Sequence, residues 1–155
     1  MAGLSQKARY ALRALYALAA DGASGPILIA DLADREKIPR KFLETILLEL
    51  KNAGILRSKK GKGGGYSLAR TPETITIGQI VRVIDGPLAP IPCVSERAYA
   101  RCEECADEAT CGTREVMKKV RDAIASILDG TTLADVQAKI AKARHAAAST
   151  VTYNI

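Results

Sequence analysis

Residues 39–70, PRKFLETILLELKNAGILRSKKGKGGGYSLAR, change period partway, and that change constrains the fold more than any other feature of the chain. The first half places Phe42, Leu43, Ile46, Leu47 and Leu50 at helical spacing, with Pro39 suited to a first turn and Gly54 to a stop. The second half holds two β-prone stretches, ILRSKK and YSLAR, separated by GKGGG, which predicts a hairpin with a basic tip almost free of side chains. Upstream, residues 5–20 repeat an apolar face through Tyr10, Leu12, Leu15, Leu18 and Ala19, with Ser5 as N-cap. After the DGASGP turn, ILIADLADREKI predicts a short helix turning Ile29, Leu32 and Ala33 inward. Three helices followed by such a hairpin spell a winged helix-turn-helix. Apolar residues make up 48% of the 155 and aromatics only 4%, so Leu, Ile, Val and Ala must form the core, which favours a mainly α protein.

Downstream, TITIGQIVRVID predicts a further helix with Ile77, Ile80, Val81 and Ile84 able to pack on the hairpin, and GPLAPIP breaks it. GTREVMKKVRDAIASILDG then sets Val116, Met117, Val120, Ile124, Ile127 and Leu128 along one stripe of a long amphipathic helix. A last helix, TLADVQAKIAKARHAAA, starts at the N-cap Thr132, and STVTYNI is expected to be a loose tail. The expected organisation is a winged helix-turn-helix over residues 1–86, a cysteine-rich loop over 87–111, dimerisation helices over 112–147 and a tail over 148–155. No apolar run approaches the roughly 20 residues that span a bilayer, and Lys7, Arg9 and Arg13 interrupt the N-terminal apolar pattern, so no membrane partner is expected and the cytoplasm is the default location.

The net charge of +6 is unevenly placed. Residues 1–70 carry 13 Lys or Arg against 6 Asp or Glu, whereas residues 93–111 carry 2 against 5, so the positive field belongs to the N-terminal half, as a polyanion-facing surface requires. The second helix of a helix-turn-helix lies in the major groove, and its outward N-terminal side chains must be long and polar. Arg40 and Lys41 suit phosphate or guanine edges, Glu44 a cytosine amino group, and Thr45 base or backbone. Arg57, Lys59, Lys60 and Lys62 on the hairpin, beside Gly63 and Gly64, suit a phosphate backbone or a minor groove. The bland alternative for the tip is a solvated loop. A nucleotide-phosphate loop is weaker, since no Gly-x-x-x-x-Gly-Lys-Ser/Thr pattern opens a helix there.

All four cysteines lie in CVSERAYARCEECADEATC, with the spacing Cys93-x8-Cys102-x2-Cys105-x5-Cys111. Cytosolic thiols are normally kept reduced, so such clustering points to metal or redox chemistry more than to a disulfide framework. The two-residue gap between Cys102 and Cys105 is common to zinc and iron–sulfur sites, and the spacing does not choose between them. Cys111 adjoins the start of the long helix, where free N–H groups favour a negative sulfur, so a ligand held by the loop would fix the end of a helix suited to a dimer interface. The five nearby acids oppose gathering thiolates unless a cation offsets them. A thiol–disulfide switch and a plainly reduced loop are the alternatives.

Taken together, KARYALRALYALA, IADLADREKIPRKFLETILLELKNAGIL, GKGGGYSLAR, TITIGQIVRVIDG and the cysteines resemble the Rrf2 type of bacterial winged-helix regulators over nearly the whole chain. The resemblance implies a homodimer that binds near-palindromic double-stranded promoter DNA, is not an enzyme, and senses iron–sulfur status, nitric oxide or redox state. It puts the recognition helix at Pro39 to Asn52 and the wing tip at Lys60 to Gly65; the apolar stripe of the long helix, at Val116, Val120, Ile124 and Ile127, is the expected dimer interface. It also makes Cys93, Cys105 and Cys111 the usual three cluster ligands. Cys102 departs from the pattern. The substitute ligands of some relatives, a His after the last cysteine or an acid in the first helix, fall here on Arg114 and Arg9, which leaves Cys102 as the candidate fourth ligand of an all-cysteine 2Fe–2S or 4Fe–4S cluster. His145 is expected at the surface. A DNA-binding disulfide sensor or structural zinc protein is the second reading. A small thiol oxidoreductase or electron-transfer protein is the third, and it leaves the wing and recognition helix without a purpose.

Overall fold

The computed structural model describes residues 3–21 and 24–152, the side chains of 148–152 excepted. Helix α1, Gln6–Ala20, starts where Ser5 Oγ accepts the Ala8 amide. It buries Ala8, Ala11, Leu12, Ala14, Leu15, Ala17 and Leu18. Four alanines in that face let neighbouring helices approach closely. Helix α2, Ile29–Glu36, buries Leu32 and Ala33 and ends at Lys37, which takes the left-handed conformation (φ 53°) that closes the tight turn. Helix α3, Arg40–Asn52, follows directly, and the Pro39 carbonyl accepts from the Phe42 and Leu43 amides. Pro39 thus caps α3 from outside. Leu43, Ile46, Leu47 and Leu50 are buried as the spacing predicts, whereas Phe42 stays partly exposed with its ring edge-on to Tyr10.

Strands β1, Leu56–Lys59, and β2, Gly65–Leu68, pair antiparallel in the register Leu56 with Leu68 and Lys59 with Gly65. A third segment joins them. Ile27 and Tyr66 exchange both backbone hydrogen bonds, at 2.9 and 2.8 Å, which ties the wing to the start of α2. The expected packing of the next helix on the hairpin is corrected: α4, Ile77–Asp85, packs on α1, α3 and the later α5. Its entry is set by a capping box in which Thr76 Oγ1 accepts the Gln79 amide and Gln79 Oε1 accepts the Thr76 amide.

Helix α5, Gly112–Asp129, and helix α6, Leu133–Thr152, complete the chain. Thr132 caps α6 as expected: its Oγ1 accepts the Asp135 amide while the Asp135 carboxylate accepts the Thr132 amide. The expected tail is corrected in part, because the alanine-rich sequence without Gly or Pro carries α6 through Thr152; residues 153–155 lie outside the described residues. Helix α6 returns to the N-terminal half. Leu133 is fully buried, its amide donates to Ile75 O, and the Gln137 side chain donates to Tyr16 O. One core therefore joins α1, α3, α4 and Leu133, with Ile124, Leu128 and Val136 packed against it. Each fully buried Leu or Ile contributes about 1.5–3 kcal/mol. Among the described residues, no helix is long and apolar enough to cross a membrane.

Candidate nucleic-acid interface and cysteine loop

The burial of one α3 face leaves the other outward. Arg40, Lys41, Glu44 and Thr45 are all exposed, as a groove-reading helix requires. Arg40 Nε lies 3.4 Å from Glu44 Oε1, so a base or phosphate contact by either must compete with their ion pair. Leu48, 51% exposed, continues the stripe of Lys41, Glu44 and Thr45. Periodicity misses it because a leucine between Leu47 and Leu50 reads as core.

On the wing, Arg57, Lys59, Lys60 and Lys62 are exposed, and Arg57 Nε donates to Ser67 Oγ at 3.1 Å. Gly63 is exposed in the left-handed region, at φ 69°. Gly64 is a correction, since it is buried within the turn: a Cβ there would meet Lys59 O at 2.4 Å and Gly61 O at 2.7 Å. Its missing side chain serves closure of the tip and leaves it no open face for DNA. Gly65 is similarly constrained, because a Cβ would lie 2.2 Å from Ile27 O. A hollow beside the wing is lined by Pro26, Arg57, Ser58, Lys59 and Ser67, adding two hydroxyls to the basic surface that sequence pattern did not single out.

In the loop, Cys93 is buried in the 3₁₀ turn Pro92–Val94. Burial pushes its thiol pKa up, a hydrogen bond with Cys102 adds to the shift, and the Arg114 charge opposes both. Cys102 is exposed and Cys105 half-buried; the Cys105 amide donates to Cys102 O at 3.2 Å, while Arg101 donates to the carbonyls of Cys105 and Ala106. Cys111 is the N-cap of α5, with its Sγ 3.5 Å from the Arg114 amide it accepts. Arg114 itself reaches toward Glu108 at 3.8 Å, and its buried Nε has no hydrogen-bond partner. Glu108 also accepts from the Tyr99 hydroxyl, which pushes the Tyr99 pKa up.

The four thiols were expected to converge. The structure brings Cys93 to Cys102, and among the described residues no three His, Cys, Asp or Glu side chains are grouped to hold a metal ion. The donor chemistry suits an iron–sulfur cluster, four sulfurs in one loop with one of them at a helix N-terminus. Gathering all four requires the loop to rearrange. His145 is exposed on α6, as expected.

Helix α5 links this loop to the DNA-facing half. Arg121 Nη1 donates to Val94 O at 2.8 Å, next to Cys93. At the other end of α5, Arg82 of α4 binds both oxygens of Asp129, at 2.5 and 2.8 Å. Gly78 makes room for that pair, since a Cβ there would meet Asp129 Oδ1 at 2.0 Å. The opposite face of α5 is apolar and open: Val116 is 54%, Val120 38% and Ile127 68% exposed. Exposed Ala123 completes a 4-3-4 spacing, the seam period of paired helices. Ile124 is a correction to the expected interface, because it turns inward and packs on the core.

A family model described as Rrf2, iron-dependent transcriptional regulator, matches residues 4–139. A putative HTH-type transcriptional regulator, rrf2-like, of Rhodobacter capsulatus is 42% identical over 138 residues, covering 87% of this chain and 92% of the relative. The cysteine regulator CymR (YrzC) of Bacillus subtilis superposes with a TM-score of 0.74 at 33% identity, covering 90% of this chain and 98% of that one. IscR of T. potens superposes at 0.73 and 30% identity, covering 91% and 90%.

Proposed function

The chain belongs to the Rrf2 family of DNA-binding transcriptional regulators, and on that premise we propose that it acts in the cytoplasm as a homodimer whose cysteine loop sets its affinity for a near-palindromic promoter site. Arg40, Lys41, Glu44 and Thr45 read the groove, the wing cations hold phosphates, and Val116, Val120 and Ile127 join the two copies. The observation that carries this reading is the position of Cys111. Its sulfur caps the helix that reaches α4 through Arg82 and Asp129, so a change of ligand at the loop is felt at the base of the DNA-binding half. Cys93, Cys102, Cys105 and Cys111 are the residues that would hold an iron–sulfur cluster, which supplies sensitivity to iron, nitric oxide and redox state. Anaerobically purified protein is expected to be brown and to contain iron and acid-labile sulfide. Cys102→Ser should lose the visible absorption. A colourless protein with one zinc per chain sinks the cluster.

The hydrogen bond between Cys93 and Cys102 favours a second reading, a disulfide switch. Two thiols lose two protons and two electrons to an oxidant such as diamide and form one S–S bond. Peptide mapping after diamide treatment should then join Cys93 to Cys102 and DNA affinity should change. Recovery of both as free thiols rules this reading out.

A further inference from the structure

We infer that a cleft between α4, the 87–97 segment and the second half of α5 binds a small organic carboxylate. The cleft has a volume of about 400 Å³, within the usual size of small-molecule sites. Its walls come from all three parts of the chain: Gln79 and Arg82 from α4, Ser95 and Arg97 from the loop, and Arg121 and Asp129 from α5. Neither the cysteines nor the groove-facing residues of α3 line it.

The state of each charge identifies the ligand. Arg82 and Asp129 satisfy one another through two hydrogen bonds. Arg121 is taken by Val94 O, by Asp122, and by Glu96 at 3.5 Å. Arg97 also lines the cleft and, among the described residues, makes no hydrogen bond or ion pair, although its charge is felt at Asp129. Asp129 holds Arg82, and Asp122 and Glu96 hold Arg121, so among the described residues Arg97 is the arginine of the lining without an ion pair, a guanidinium whose planar fork fits a carboxylate. Buried Ser95 accepts the Ala98 amide at its Oγ, which leaves its O–H to donate. Pro87, Leu88, Ala89 and Ala125 supply the apolar part of the wall, which favours a ligand with a carbon body over an inorganic anion. Because the ligand would touch α4, the loop and α5 at once, its binding is coupled to the arrangement of those three whatever the cysteines hold.

The test is titration calorimetry of the full, reduced chain with the straight-chain monocarboxylates from acetate to hexanoate and with succinate and glutarate. At least one should give saturable binding that its amide counterpart lacks. Arg97→Gln, at an exposed position, should weaken that binding at least tenfold with an unchanged circular dichroism spectrum. Ala125→Leu, which fills the apolar wall, should weaken it without altering charge. Lys142→Gln, exposed on α6 and outside the cleft, should leave it unchanged. Absence of saturable binding by every acid, or binding that Arg97→Gln does not weaken, overturns the proposal. A cleft filled by the second copy in the dimer would give the first of these results.

Discussion

Gly65 and Gly78 both lack a side chain because something else occupies the space, and the occupant decides the cost of adding one. At Gly65 the neighbour is backbone, the carbonyl of Ile27, and φ is 137°, a value that side-chain-bearing residues rarely adopt. Gly65→Ala should therefore destabilise the protein by about 1–3 kcal/mol in urea unfolding and detach the wing from Ile27. At Gly78 the neighbours are the ends of Asp129 and Arg82, which can swing aside, and alanine in a helix recovers about 1 kcal/mol of propensity. Gly78→Ala should leave the unfolding midpoint nearly unchanged while raising amide hydrogen exchange where α4 meets the end of α5. The same ion pair carries an acid dependence. The hydrogen bond from Arg82, followed by its charge, holds the Asp129 carboxyl below its ordinary value. A depressed carboxylate contributes stability that is fully present above the unfolded pKa of about 3.9 and is lost as pH falls through the folded value. Asp129→Asn should thus be less stable than wild type at pH 7, with the difference shrinking below about pH 4 as wild type loses the contribution.

Two stripes share α5, and they explain what its sequence conceals. Met117, Ile124 and Leu128 turn toward the chain's own core or are half-buried, while Val116, Val120, Ala123 and Ile127 stay open. From sequence the two stripes merge into one broad apolar face, so Ile124 reads as interface and Ala123 goes unnoticed. Only the placement of α4 against α5 separates them. Covering a valine or isoleucine gains about 1.5–3 kcal/mol, and a buried unpaired charge costs more than that gain. Val120→Asp combined with Ile127→Asp is therefore expected to weaken dimerisation at least a hundredfold in sedimentation equilibrium. Ile124→Asp should instead lower the stability of the fold. Elsewhere, local signals marked elements well: Ser5 and Thr132 as caps, the helical spacing of Leu43, Ile46, Leu47 and Leu50, and the glycine-rich tip all have causes within a few residues. What escaped depends on distant partners. Ile27 joining the wing, Arg82 reaching Asp129 and Arg121 reaching Val94 link residues 27 to 47 positions apart, and no periodicity encodes them. The cysteine loop stands between these cases, since its composition predicts a chemistry shared by four thiols, whereas the hydrogen bond of Cys93 with Cys102 depends on the turn that buries Cys93.

At the scale of the whole molecule, the charge is sorted by element. The basic residues lie on α3 and the wing and the acidic ones in the loop that precedes α5, so a polyanion is drawn to the first and repelled by the second. The exposed wing lysines make this measurable, because counterion release ties the salt dependence of affinity to the number of phosphates neutralised. Each lost phosphate contact should lower the slope of log K against log salt by about 0.9, so Lys59, Lys60 and Lys62 changed together to Ala should lower it by up to about 2.7 per protomer. The loss should be nearly equal on the selected promoter site and on unrelated duplex, since phosphate contacts carry no sequence information. Thr45→Ala is the counterpart: it should leave the slope unchanged and reduce discrimination between the two duplexes by about 1–3 kcal/mol if its hydroxyl or methyl meets a base. Fluorescence anisotropy titrations at several salt concentrations read both effects from one set of samples. A wing variant that keeps the wild-type slope would take the phosphate contacts off these three lysines and leave Arg57 of the hairpin and Arg40 and Lys41 of α3 as the exposed candidates.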